Sequence, residues 1–201
     1  MLEAVLFDLD GTLISYAAPY ADFVLGFAHQ WGITDPGDPF HLAYAAAIQT
    51  DGPVTFRSSV EFALTRTGYS PPKNLAEACD KSVADYASGI QLLPGALELV
   101  ASYGNLPKAI VSNGPADMQR AAIAAARLTH LFDQTLISGD PDVAVRKPDA
   151  KIFQLACQRL AVCPERTLMI GDNEAADIEG ARAAGLKATH VSNLTTTNTE
   201  R

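Results

Sequence analysis

The chain has 201 residues, a formal net charge of −8, 48% hydrophobic residues and 19% charged residues, a composition typical of a globular protein. Lysines and arginines form no cluster, so a nucleic-acid-binding surface is not expected. No apolar stretch approaches the roughly 20 residues that span a bilayer, and the first residues resemble no secretory signal. Three cysteines without metal-ligand spacing, Cys79, Cys157 and Cys163, predict free thiols in a cytoplasmic protein.

Five short apolar segments predict the strands of a parallel sheet. Such runs, followed by small or charged residues, are typical of strands buried on both faces. Helical patterns separate the later segments, and this alternation predicts an α/β fold with a doubly wound parallel sheet. The predicted strands are Ala4–Phe7, Ala109–Val111, Thr135–Ile137, Thr167–Ile170 and Ala188–Val191. The predicted helices of this part are Pro94–Ser102, Pro115–Leu128, Asp149–Leu160 and Asn173–Ala184.

Residues 15–92 interrupt this alternation. No strong strand is expected between Ile14 and Leu93, and four segments separated by proline and glycine have helical spacing: Tyr20–Trp31, Phe40–Thr50, Phe56–Gly68 and Leu75–Ser88. We therefore predict a helical domain at 15–92, inserted into a core formed by 1–14 and 93–201. The insert holds 11 of the 15 aromatic residues, which favours an aromatic helical core and leaves open a pocket for the apolar part of a substrate.

Four polar clusters follow predicted strands, where the carboxyl ends of a parallel sheet bind ligands. They are Asp8 to Thr12, Ser112-Asn113, Lys147-Pro148, and Gly171-Asp172 with Asp177 five residues later. Each alone has an ordinary structural explanation, such as a turn, a helix cap or a solvated lysine. Four complementary clusters at one edge of one sheet predict a functional site.

The residue types in these clusters suit phosphoryl transfer. Ionised Asp8 and Asp172 would repel each other unless a cation lay between them, and oxygen ligands favour Mg²⁺. Asp8 could attack phosphorus, and Asp10 could act as general acid and base. Ser112 and Lys147 could bind the phosphoryl group. Asp177 would hold Lys147 or a metal-bound water.

These motifs resemble the haloacid dehalogenase-like (HAD) hydrolase superfamily: DLDGT at 8–12, SN at 112–113, KP at 147–148 and GDNEAAD at 171–177. The resemblance implies a Rossmann-like core with an inserted helical cap, as in phosphoglycolate phosphatases and β-phosphoglucomutases. It implies Asp8 as nucleophile, Asp10 as acid/base, and Mg²⁺ bound by Asp8, the backbone carbonyl of Asp10, and Asp172. It further implies phosphate binding by Thr12, Ser112, Asn113 and Lys147. Gly11 and Asp177 would be supporting residues, and Asn113 could serve in this role as well.

The first functional hypothesis is a magnesium-dependent phosphatase that hydrolyses a small phosphomonoester through an aspartyl-phosphate. The second carboxylate, Asp10, favours phosphate chemistry because the true dehalogenases of the superfamily lack it. The alternatives are a phosphomutase of the β-phosphoglucomutase type and a non-catalytic binding protein. The predicted cap should set specificity, and its eight acidic and four basic residues disfavour a highly charged polyanion. Arg57 is a candidate substrate contact, although surface exposure is the favoured interpretation.

Overall fold

The computed structural model describes residues 1–195, the side chain of residue 195 excepted, and its centre is a five-stranded parallel sheet. The strands of this sheet are β1 (Ala4–Phe7), β4 (Lys108–Ser112), β5 (Gln134–Ile137), β6 (Thr167–Gly171) and β7 (Lys187–His190). Their spatial order is β5-β4-β1-β6-β7, so β1 lies between β4 and β6. Phe7 is aligned with Ile110 on one side and Ile170 on the other. The segment that leads to Asp8 is therefore the middle of the sheet.

Helices cover both faces of the sheet. Those outside residues 15–92 are α5 (Ala96–Ser102), α6 (Ala116–Ala125), α7 (Ala150–Leu160), a π-helix at Glu174–Glu179, α8 (Gly180–Ala183) and α9 (Ser192–Thr195), with short 3-10 turns at Thr129–Leu131 and Pro164–Arg166. Successive strand residues point to opposite faces. Phe7 packs in one apolar cluster with residues of α5 and α6, whereas Leu6 packs in another with residues of α7. The predicted doubly wound α/β fold is confirmed.

The five predicted strands are confirmed, with ends that differ by one residue at most. The last predicted helix differs, because Glu174–Glu179 adopts a π-helix before α8 begins. Between Ile14 and Leu93, where no strong strand is expected, the structure has a short strand at each end. Short strands β2 (Ile14–Tyr16) and β3 (Ile90–Leu92) pair antiparallel, with Ile14 opposite Leu92. A three-residue strand is too short to produce a recognisable alternation of polar and apolar residues.

Four helices lie between β2 and β3: α1 (Tyr20–His29), α2 (Pro39–Ala47), α3 (Phe56–Thr67) and α4 (Leu75–Ser88). Aromatic rings fill the space between them, and the Phe27 ring lies 4.8 Å from that of Phe56 and 5.3 Å from that of Tyr44, centroid to centroid. The backbone N–H of Phe56 donates to Asp117 of α6, 2.8 Å away, and so joins this helical segment to the core. The domain boundaries at 14/15 and 92/93 stay a prediction. Within residues 1–195, none of the helices combines the length and apolarity that a membrane crossing requires.

Candidate active site

Asp8 occupies the carboxyl end of the central strand. Its backbone N–H donates to the carbonyl of Ile170 at 2.8 Å, so the pairing of β1 with β6 continues one residue beyond the strand. The residue is 7% exposed, and its Oδ1 lies 2.5 Å from Nζ of Lys147. Oδ2 accepts no hydrogen bond within the described part of the chain. One carboxylate oxygen is thus held by an ammonium, and the other is available for chemistry.

Lys147 is a buried cation that joins three elements. An ammonium has three N–H donors. Its Nζ contacts Asp8, donates to the carbonyl of Val111 at 2.7 Å, and lies 2.7 Å from Oδ1 of Asp177. Asp177 therefore lies against Lys147, and its supporting role stays a prediction. Three oxygen atoms thus surround Nζ within 2.7 Å, so direct contact between Lys147 and a phosphoryl group requires the displacement of one of them.

Burial and charge act against each other at this pair. Burial raises the pKa of Asp8 to about 7, although the nearby Lys147 ammonium opposes this shift. Burial alone would lower the pKa of Lys147, but Asp8 and Asp177 outweigh it and the net pKa is raised. The lysine is therefore charged at physiological pH. Any further positive charge beside Asp8 would favour its ionised form.

Three carboxylates form a group that could hold a cation. Oxygen atoms of Asp8, Asp172 and Asp177 all lie within 4.8 Å of one another. Burial, and then the charge of Asp177, raise the pKa of Asp172, as expected for like charges held close together. Such hard oxygen donors suit Mg²⁺. Both oxygens of Asp177 are engaged, Oδ1 by the Lys147 ammonium and Oδ2 by the backbone N–H of Asn173 at 3.0 Å, so the pair Asp8 and Asp172 is the better candidate for metal ligands.

Gly11 permits the close approach of two loops at this site. Its φ is +77°, and a Cβ added there would lie 2.1 Å from Oδ2 of Asp172. A side chain at position 11 would therefore displace the Asp172 carboxylate. This clash gives a steric reason for the supporting role predicted for Gly11, which stays a prediction.

The Asp10 side chain has partners other than the three-carboxylate group. Its Oδ2 accepts a hydrogen bond of 2.7 Å from Nε2 of Gln119, which also donates to the carbonyl of Asn113 at 3.0 Å. Asp10 is exposed as a residue, yet partial desolvation of its carboxyl group raises its pKa, while the Gln119 hydrogen bond opposes the shift. The Asp10 side chain is not part of the three-carboxylate group, and the proposed metal contact of its backbone carbonyl stays a prediction.

The predicted phosphate-binding residues differ in their surroundings. Ser112 is 1% exposed, and its hydroxyl has no hydrogen-bond partner. An unpaired buried hydroxyl costs about 1–3 kcal/mol, so a phosphoryl oxygen at Ser112 would satisfy it. Thr12 also has an unpaired buried hydroxyl, but it lines a different cavity from Asp10. Both polar atoms of the Asn113 side chain bond the backbone of Lys147, since Nδ2 donates to its carbonyl and Oδ1 accepts from its N–H, both at 2.9 Å. Asn113 thus braces Lys147.

A cavity of about 410 Å³ opens beside Asp10. Residues from both the helical segment and the core line it, notably Tyr16, Tyr20, Tyr86, Met118, Gln119 and Arg146.

The sequence did not predict Gln119 and Arg146 as residues of the site. Arg146 directly precedes the Lys147-Pro148 motif, which was a usable signal, whereas Gln119 carried none. Arg57 does not line this cavity; it is exposed and pairs with Glu61 at 2.8 Å, which agrees with the favoured interpretation.

A comparison with known protein families gives a match over most of the chain. The profile of the haloacid dehalogenase-like hydrolases matches residues 2–185, which include all four polar clusters. The chain belongs to this family. A structure of a HAD hydrolase of Bacillus subtilis bound to magnesium, YfnB, is similar with a TM-score of 0.67 and 26% identity, over 93% of this chain and 87% of that one.

Curated HAD relatives include enzymes of two chemistries. A phosphoserine phosphatase of Thermus thermophilus is 42% identical over 86 residues, which are 43% of this chain and 34% of that protein. An (S)-2-haloacid dehalogenase of Pseudomonas sp. is 40% identical over 86 residues, 43% of this chain and 37% of the relative. A phosphoglycolate phosphatase of Photorhabdus laumondii is 27% identical over 92% of this chain and 77% of its own length. The chain thus aligns with little more than a third of the first two proteins.

Proposed function

We propose that this HAD-family protein is a magnesium-dependent phosphatase that hydrolyses a small phosphomonoester through an aspartyl-phosphate on Asp8. The observation that carries the proposal is the environment of Asp8. One oxygen contacts the Lys147 ammonium, and Asp172 provides a second carboxylate within metal-ligand reach. Two residues along the same loop, Asp10 reaches a cavity of small-molecule size. Two relatives that are named as phosphatases support the choice of a phosphate ester as substrate.

The chain's own residues account for the steps of the reaction. Oδ2 of Asp8 attacks phosphorus and forms the acyl phosphate, while the bond to the ester oxygen breaks. Asp10, in its protonated form, gives its proton to the departing alkoxide, and its carboxylate then takes a proton from the water that attacks the acyl phosphate. The Ser112 hydroxyl donates to a phosphoryl oxygen. Lys147 offsets the negative charge that collects at Asp8.

The residues present fit a Mg²⁺ ion. Asp8 and Asp172 would hold it, and the absence of a side chain at Gly11 leaves the Asp172 carboxylate the space that it occupies. When bound, the ion supplies positive charge that draws the phosphate ester to the sheet edge and offsets charge in the transition state. A cytoplasmic location, consistent with three thiols that form no disulfide among the described residues, belongs to the same proposal.

The decisive experiment measures phosphate release from a panel of metabolite phosphates and from p-nitrophenyl phosphate, with Mg²⁺ and with EDTA. Wild-type protein should release phosphate only with Mg²⁺, and Asp8→Asn should abolish turnover without loss of folding. Chloride release from 2-chloropropionate in place of phosphate release would show dehalogenase chemistry instead. Activation by a bisphosphate without net phosphate release would show a phosphomutase. Equal phosphate release by Asp8→Asn would exclude Asp8 as nucleophile.

A further inference from the structure

Arg146 places a cation in the wall of the cavity that Asp10 enters. The residue is partly buried, and its Nη1 donates to the carbonyl of Ile48 at 2.8 Å, with Oγ of Ser138 3.4 Å away. Ile48 is the residue that ends α2, so the guanidinium is tied to the helical segment although it belongs to the loop of Lys147. These contacts use a single guanidinium nitrogen. The cavity surface of the group remains available to a ligand.

This guanidinium has no anionic partner in residues 1–195. Lys147, the neighbouring basic residue, pairs with the carboxylates of Asp8 and Asp177, whereas Arg146 forms no ion pair with any of the described residues. The acid that influences it is Asp51, whose Oδ1 accepts from the backbone N–H of Arg146 at 3.2 Å. An arginine remains charged at any physiological pH, and a desolvated charge without a partner is unfavourable. The position therefore suits an anionic group of a ligand.

The remaining walls restrict what that ligand can be. Tyr16, Tyr20 and Tyr86 supply aromatic surface, and Met118 supplies a thioether. Tyr20 and Tyr44 are joined by a hydrogen bond of 2.6 Å between their hydroxyls, which fixes the Tyr20 ring. A volume of about 410 Å³ lies at the small end of ligand pockets. The space suits a short organic group rather than a polymer or a large nucleotide.

A single carboxylate is the anion that the surroundings favour. The planar guanidinium matches a carboxylate with two parallel hydrogen bonds. A second phosphate would bring about twice the negative charge of a carboxylate close to Asp51 and Asp10. Residues 15–92, which form part of the cavity wall, already hold eight acidic and four basic residues. One guanidinium could not compensate that charge.

We propose that Arg146 binds a carboxylate on the leaving group, so that the substrate is a short phosphomonoester of a hydroxy acid. This inference rests on the phosphatase function proposed above. In it, the sheet edge at Asp8 holds the phosphoryl group, and the wall at Arg146 selects the leaving group. Arg146 is then a specificity-determining residue.

The test compares phosphoglycolate with 2-(phosphonooxy)acetamide, which differs from it only by a carboxamide in place of the carboxylate. Both kcat/KM for the wild type and binding to the Asp8→Asn variant, by titration calorimetry, are measured. A charge-assisted pair should favour the carboxylate by about tenfold to hundredfold. Arg146→Gln should reduce that ratio to about one, and Arg146→Lys should keep part of it. Arg57→Gln is the matched control, since Arg57 is exposed and outside the cavity; it should leave the ratio unchanged.

The outcomes separate the two proposals. Hydrolysis of p-nitrophenyl phosphate together with equal kcat/KM for acid and amide would overturn the role of Arg146 and leave the phosphatase function standing. The role of Arg146 is likewise overturned if Arg146→Gln keeps the wild-type ratio while thermal unfolding shows a folded protein. If no phosphate ester is hydrolysed, the phosphatase function fails, and calorimetry still decides whether Arg146 recognises the carboxylate.

Discussion

Replacement of Lys147 by methionine should destabilise the fold more than any other single change at the site. The side chains of Lys147, Asp8 and Asp177 are 3%, 9% and 1% exposed, so methionine would leave two buried carboxylates without their cation. Breaking a buried ion pair by removal of one partner costs about 3–5 kcal/mol. For a chain of this length, that corresponds to a fall in Tm of about 6–20 °C.

The loss in free energy of unfolding caused by Lys147→Met should also depend on pH. Burial already raises the pKa of Asp8 to about 7, and without the ammonium it would rise further. The folded variant would then bind more protons than the folded wild type, while the unfolded chains would not differ at these carboxylates. The free-energy difference between the two proteins should therefore grow as pH rises. We expect a smaller difference at pH 5 than at pH 8.

The assay is urea unfolding at both pH values, without metal, with Lys151→Met as control. Lys151 is an exposed lysine in the first turn of α7, and its replacement should change stability by about 0.5 kcal/mol at most. The double variant Lys147→Met/Asp177→Asn should recover part of the loss, because one uncompensated charge is removed. A loss below about 1 kcal/mol at pH 8 for Lys147→Met would refute the assignment of a buried, charged network.

Three further predictions concern the neighbours of the nucleophile. Gln119→Met should lower kcat about tenfold and move the alkaline limb of the kcat profile to higher pH, because the Gln119 hydrogen bond lowers the pKa of Asp10; an unmoved limb would contradict this. Gly11→Ala should weaken Mg²⁺ binding at least about tenfold in a calorimetric titration, whereas Gly32→Ala, with a similar φ of +76° but open space around it, should not. Excess Mg²⁺ at about 100 times its Kd should stabilise the wild type by about 2.7 kcal/mol in thermal melts, and Asp172→Asn should lose most of that gain.

The sequence was sufficient for the sheet and for the residues at its edge, for one physical reason. A strand buried on both faces must be apolar throughout, so Ala4–Phe7 stands out, and the polar residue that follows must lie at the strand end. Parallel strands then bring Asp8, Ser112 and Asp172 to one edge wherever the helices lie. Contacts between the helical segment and the core follow no such rule. The cavity wall at Arg146 depends on where Ile48 lies in space, 98 residues away in sequence, and no local pattern carries that information.

Asp10 also bears on the choice between the two chemistries found among the relatives. A halide is a weak base and leaves carbon without a proton, so a dehalogenase needs no acid at its leaving group. An alkoxide is a strong base, and its departure from phosphorus is much easier when a proton is supplied. Here a carboxyl group with a raised pKa enters the cavity and is held by the Gln119 amide, two residues from the carboxylate that would attack. Partial desolvation favours the protonated form of the Asp10 carboxyl group. An enzyme that cleaves an ester requires this form as an acid, whereas an enzyme that releases a halide would not use it.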